Sequence, residues 1–179
     1  MIDVREWETL KYHETQSQLW RCPSRLVCVA AGRGSGKTTL ARRRVVCFLP
    51  VKKRHTRPLY AYCLPTIKRA KRVAWPFIKS LIPPEWLAAP LNNNMVVRTV
   101  FGSELYVTGL DDPTVIEGDQ WDGIVVDEAS DQKANWHLSV LPALTHRNGW
   151  LWVIGVPKRH GRGAALFKRF YYDKAFTSC

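Results

Sequence analysis

The stretch Ala31-Gly-Arg-Gly-Ser-Gly-Lys-Thr38 constrains the fold more than any other part of the chain. It departs from the phosphate-binding pattern G-x-x-x-x-G-K-[ST] only at its first position, where alanine replaces glycine. An apolar run at residues 26–31 leads into it and reads as a buried strand, and residues 37–48 read as the helix that follows. In that setting the glycines let successive backbone N–H groups turn inward on a polyphosphate, and the helix N-terminus adds its dipole. Ala31, Gly32, Gly34, Ser35, Gly36 and Thr39 are the expected cradle, with Lys37 reaching the β- and γ-phosphates and the Thr38 hydroxyl ligating Mg²⁺. ATP and Mg²⁺ are therefore the expected cofactors.

A second motif lies downstream. Gly123-Ile-Val-Val-Asp127-Glu128 is a short apolar strand ending in two acids. Such a strand carries Asp127 to the carboxyl edge of a sheet, beside the phosphate loop, where it can hold the metal or its waters. Glu128 is then placed to polarise a water for in-line attack on the γ-phosphate, which favours hydrolysis over transfer to a small molecule.

Around these motifs strands alternate with helices. A second strand is expected at Leu59–Leu64 and a helical stretch over residues 66–81. Apolar–polar alternation at 95–100 and 104–108, about Gly102-Ser103, predicts a hairpin. A helix is expected over 133–144 despite Pro142, a buried strand at Trp150–Gly155 and a closing helix at Ala164–Tyr172. The expected fold is α/β, a P-loop NTPase with a mainly parallel sheet, helices on both faces and one β-hairpin. No repeat, linker or low-complexity tract breaks the pattern, so residues 1–179 are expected to be one domain.

Charge points to a partner. Residues 15–84 hold 16 Lys or Arg and no Asp or Glu, which more than accounts for the net charge of +12. Solvated helix faces normally intersperse acids among their cations, so a stretch this one-sided indicates a polyanion, and nucleic acid is the expected one. The five cysteines show neither C-x-x-C nor metal-ligand spacing, so zinc and disulfides are not expected. The N-terminus carries acids where a signal peptide needs basic and apolar residues, and no apolar run is long enough to span a membrane.

In its ordered motifs the chain resembles the large terminase subunits of tailed bacteriophages, specifically their N-terminal DNA-packaging ATPase domain. The resemblance starts at Tyr12-His-Glu-Thr-Gln16 with Trp20 after it and passes through Val29-Ala-Ala-Gly-Arg-Gly-Ser-Gly-Lys-Thr38. It continues in Tyr62-Cys-Leu-Pro-Thr66 with Ala70 and Trp75, then the hairpin, Ile116-Glu-Gly118 and Trp121-Asp-Gly-Ile-Val-Val-Asp-Glu128. Gly155-Val-Pro-Lys-Arg159 stands where the family has its coupling motif.

The resemblance implies the additional-strand, catalytic-glutamate branch of the fold and an ATPase that drives double-stranded DNA into a viral procapsid. Gln16 would read the adenine through its amide, and Arg33 would either approach the γ-phosphate or restrain Glu128. Gly155, Val156 and Pro157 would pass the state of the γ-phosphate to DNA-gripping elements. Arg42, Arg43, Lys68, Arg69, Lys71, Arg72, Lys158 and Arg159 are the candidates for contacting DNA. Self-association into a ring, a portal protein and a small terminase subunit are the implied partners, in the host cytoplasm. Two departures from the resemblance stand out: no counterpart of the family's RNase H-like nuclease domain is expected within residues 1–179, and Glu117 stands where many relatives have an arginine before Gly118. Two other readings stay open, a helicase-like DNA translocase and a nucleotide-binding assembly module that does not hydrolyse.

Overall fold

The computed structural model describes residues 14–91 and 93–178. Helix α1 (Glu14–Arg21) leads into β1 (Leu26–Ala30), the phosphate loop and α2 (Lys37–Cys47). Strand β2 (Leu59–Leu64) is followed by α3 (Ile67–Arg69), a π-helical turn (Ala70–Ala74) and α4 (Trp75–Leu81). Strands β3 (Val96–Arg98) and β4 (Glu104–Gly109) form the hairpin, and β5 (Gly123–Val126) carries the acidic motif at its end. Helix α5 (His137–Thr145), β6 (Trp150–Gly155), α6 (Ala164–Tyr172) and β7 (Thr177–Ser178) complete the order. No helix among the described residues is long and apolar enough to cross a membrane.

The seven strands form one sheet in the order β3-β4-β2-β5-β6-β1-β7. Among the strand pairs of the described residues only β3–β4 is antiparallel, with Val97 opposite Leu105. Alternation along the strands sorts side chains to two faces. On one face Val27, Val29, Tyr60, Tyr62, Val125 and Trp152 pack against Leu40 and Val45 of α2 and Ile78 of α4. On the other, Cys28, Ala61, Ile124, Val126 and Val153 pack against Val140 of α5 and Phe167 of α6. Burying both faces is what makes β2, β5 and β6 read as continuous apolar runs.

Two elements differ from the sequence expectation. The helix after the acidic motif begins at His137, not at residue 133. Residues 133–136 turn instead, seating Trp136 in the core against Phe170, with ring centroids 5.5 Å apart. Pro142 is tolerated inside α5 because the carbonyl it leaves without a donor belongs to Leu138, which faces solvent. The stretch after β2 is not one α-helix, since the Trp75 N–H bonds the Ala70 carbonyl five residues back.

Candidate active site

Strand β1 delivers the chain to the sheet edge, where the Ala31 N–H donates to the Gly155 carbonyl at 3.1 Å and ties the loop's first residue to β6. Gly34 and Gly36 turn the loop at φ 77, a left-handed conformation that side chains resist. A Cβ on Gly36 would also lie 2.5 Å from Gln16 Nε2. Gln16 itself is more than nine-tenths buried, and its Nε2 donates to the Ser35 carbonyl at 2.7 Å. Among the described residues its Oε1 is buried without a hydrogen-bond partner, an acceptor left over beside the loop. Tyr12 and His13 of the same element lie outside the described residues. Lys37 Nζ donates back to the Gly32 carbonyl at 3.1 Å, Thr39 lies half-buried in the first turn of α2, and Arg33 is exposed.

Across the cleft, β5 runs parallel to β2 and β6. The Asp127 N–H extends the ladder to the Cys63 carbonyl at 2.9 Å, which sets the carboxylate at the strand's end, 3% exposed. Its Oδ1 accepts from the Glu128 N–H at 2.7 Å and lies 3.5 Å from Thr38 Oγ1. Its Oδ2 accepts from the Tyr62 hydroxyl at 2.6 Å. A hydroxyl and a carboxylate, both hard oxygens and few in number, fit the way magnesium binds, keeping several of its waters.

Glu128 adopts φ 53, ψ 43, a left-handed conformation that costs a non-glycine residue about 1–2 kcal/mol. The conformation turns the chain out of the strand and into a short 3₁₀ turn, with the Asp131 N–H bonded to the Glu128 carbonyl at 2.8 Å. The side chain enters the same cleft as Lys37, Thr38 and Asp127. Burial pushes its carboxyl above the ordinary range; Arg69 opposes this, while Asp127 and Asp131 add to it.

Two cations assigned to DNA from sequence stand in this cleft. Arg69 Nη1 is 2.5 Å from Glu128 Oε2 and 3.7 Å from Asp131. Lys158 Nζ donates to both Asp131 oxygens, at 2.7 and 2.6 Å. The cation that restrains Glu128 here is therefore Arg69, whereas Arg33 lines the cleft from the loop. Nothing in the local sequence signals this, because the pairing spans β2, β5 and the turns after them.

The assignment of Arg42 and Arg43 to DNA is corrected. They are 8% and 2% exposed, because α2 is covered by the sheet on one side and by α1 and α4 on others. The Arg42 guanidinium lies over the rings of Tyr62 and Phe77, at 5.8 and 4.9 Å. Lys68, Lys71, Arg72 and Arg159 are exposed. The residues expected to couple, Gly155, Val156 and Pro157, lie at the junction of the two motifs: Gly155 ends β6 beside Ala129, and Ser130 Oγ donates to the Val156 carbonyl at 2.7 Å. Val156 lines the cleft and Pro157 leads out of it to Lys158.

No protein-family model matches the chain, and no curated protein matches it in sequence. Solved structures do. The large terminase ATPase domain of Thermus phage P74-26 superposes with a TM-score of 0.74 at 20% identity, over 94% of this chain and 80% of that one. The chain has the fold of a phage large-terminase ATPase domain. The large terminase of the thermophilic bacteriophage D6E, solved with ADP, matches at a TM-score of 0.72 and 14% identity, over 94% of this chain and 44% of that protein. The HK97 large terminase matches at 0.69 and 13%, over 93% of this chain and 37% of its own length. At these identities the likeness is one of fold, and the chemistry has to be argued from the cleft.

Proposed function

We propose that this chain is the Mg²⁺-dependent ATPase motor of a viral DNA-packaging machine, of the additional-strand, catalytic-glutamate type. The observation that carries the reading is the meeting of Lys37, Thr38, Asp127 and Glu128 in one cleft on a terminase-like fold. The insertion of β6 between β1 and β5 supports the additional-strand assignment. With ATP seated in the loop, backbone amides and Lys37 hold the β- and γ-phosphates, and Gln16 offers its free carbonyl to a donor of the base. Thr38 and Asp127 hold Mg²⁺, which neutralises phosphate charge. Glu128, as a carboxylate, draws a proton from the attacking water as the terminal P–O bond breaks.

In this reading the work done is translocation of double-stranded DNA into a procapsid in the host cytoplasm. The chain acts as one ATPase domain within a ring, alongside a portal protein and a small terminase subunit. Lys68, Lys71, Arg72 and Arg159 supply exposed cations for a phosphate backbone. The test is ATP hydrolysis by the purified chain over a range of protein concentrations, with and without double-stranded DNA. Mg²⁺-dependent turnover stimulated by duplex supports the motor. Unwinding of a forked duplex would move the assignment to a helicase-like translocase. Tight nucleotide binding without phosphate release, even when the chain is associated, would leave an assembly module.

A further inference from the structure

The buried arginine displaced from the DNA surface has a place in the site. We infer that Tyr62, backed by Arg42, is a positioning residue that fixes the Asp127 carboxylate in the orientation that holds the metal. The inference rests on the ATPase reading and assigns a role that neither motif contains.

Asp127 has two oxygens with different duties. Oδ1 faces Thr38 and the Glu128 N–H, on the side of the cleft. Oδ2 points into the core, where the Tyr62 hydroxyl donates to it at 2.6 Å. Tyr62 is fully buried in the middle of β2, opposite Val125 of β5, so its ring has no room to leave. A carboxylate held at one oxygen by a fixed donor cannot spin about its last torsion, and the other oxygen stays aimed at the cleft. Arg42 sits one helical turn beyond Thr38 on α2 and places its cation against the Tyr62 ring, 5.8 Å from the centroid. The arrangement puts a buried positive charge behind a buried negative one, with the phenol between them. Outer groups that orient a metal ligand typically govern metal affinity by about 10–100-fold.

The experiment uses the whole chain and a fluorescent ADP analogue, titrated with Mg²⁺. Tyr62→Phe keeps the ring and removes only the hydroxyl. We expect its half-saturating Mg²⁺ for nucleotide binding to rise about tenfold or more. Binding of the analogue in EDTA should match the parent, and turnover should recover substantially when Mg²⁺ is saturating. Arg42→Gln should shift the Mg²⁺ requirement in the same direction by less. A purely structural role would lower the melting temperature and leave the Mg²⁺ requirement alone. A folded Tyr62→Phe protein with the parent's Mg²⁺ requirement overturns the inference. Should that variant fail to fold, the decision passes to Arg42→Gln, where an unchanged requirement overturns it equally. If the parent itself binds nucleotide with no Mg²⁺ dependence, both this inference and the ATPase reading fail. If only the variants are unchanged, this one fails alone.

Discussion

Replacing Arg69 by alanine should move the acid limb of the hydrolysis profile to higher pH. In the proposed mechanism Glu128 works as a carboxylate, so turnover should fall as pH drops through its pKa. Burial already holds that pKa above the ordinary value, and the Arg69 cation pulls it down. Removing the cation leaves burial and the neighbouring acids Asp127 and Asp131 to act with less opposition, so the pKa rises further. The size follows from the geometry. At 2.5 Å the pair is close, but Arg69 is 41% exposed and Glu128 35%, so solvent screens most of the attraction. An exposed pair is worth about 1 kcal/mol or less, and about 1.36 kcal/mol corresponds to one pH unit, which gives an upward shift of up to ~0.7 unit. Single-turnover hydrolysis at saturating ATP and Mg²⁺, measured from pH 5 to 8 in parent and variant, reads the limb directly. A limb that stays put, or moves to lower pH, would refute the assignment of Arg69 to Glu128.

Other outcomes follow from the same geometry. Lys37→Ala should lose nucleotide affinity and turnover together. Glu128→Gln should keep ATP bound, release no phosphate and melt no lower than the parent, because ionising the half-buried carboxyl, whose pKa is raised in the fold, opposes folding at neutral pH; equilibrium binding, phosphate release and thermal unfolding check all three. Gly36→Ala places a Cβ 2.5 Å from Gln16 Nε2 at φ 77, so thermal unfolding should show a loss of about 1–2 kcal/mol for the left-handed backbone alone. Reversing the charge of Lys68, Lys71 and Arg72 should flatten the log–log salt dependence of duplex binding by about 0.9 for each DNA phosphate no longer neutralised, read by fluorescence anisotropy. Specific ATPase activity should climb with self-association, since an arginine donated in trans is worth about 10³–10⁵ in P-loop enzymes; activity flat down to the monomer would oppose it.

Much of the architecture was legible because apolar runs and glycine-rich punctuation are local signals. The strands at Leu59–Leu64, Gly123–Val126 and Trp150–Gly155 stand where the uninterrupted apolar residues do. The phosphate loop was legible for the same reason, since its glycines, lysine and threonine are consecutive. The two-residue strand β7 was not, because nothing in Thr177-Ser178 distinguishes it from a tail until β1 lies beside it. The arginines of α2 misled because a run of three cations reads as surface. Their burial depends on aromatic rings from elsewhere in the chain: Tyr62 and Phe77 for Arg42, and Trp152, at 4.3 Å, for Arg44. Arg69 shows the converse error. It sits among exposed cations in sequence, yet the turn after β2 brings it onto an acid 59 positions away.

The π-helical turn at Ala70–Ala74 has a consequence at the level of the gene. Arg69 lies just before it, with Trp75 and Ile78 anchored in the core just after it. A π turn holds one more residue than the α-helical turn it replaces. Losing a single codon within it would let an ordinary helix run through and shift the preceding turn, Ile67–Arg69, by about 100° in phase relative to Trp75 and Ile78. Lys68 would then point elsewhere, and Arg69 would leave Glu128. The angular phase between a basic surface and a carboxylate in the cleft is thus written in one peptide unit. An in-frame indel here would alter that phase while leaving both sequence motifs intact.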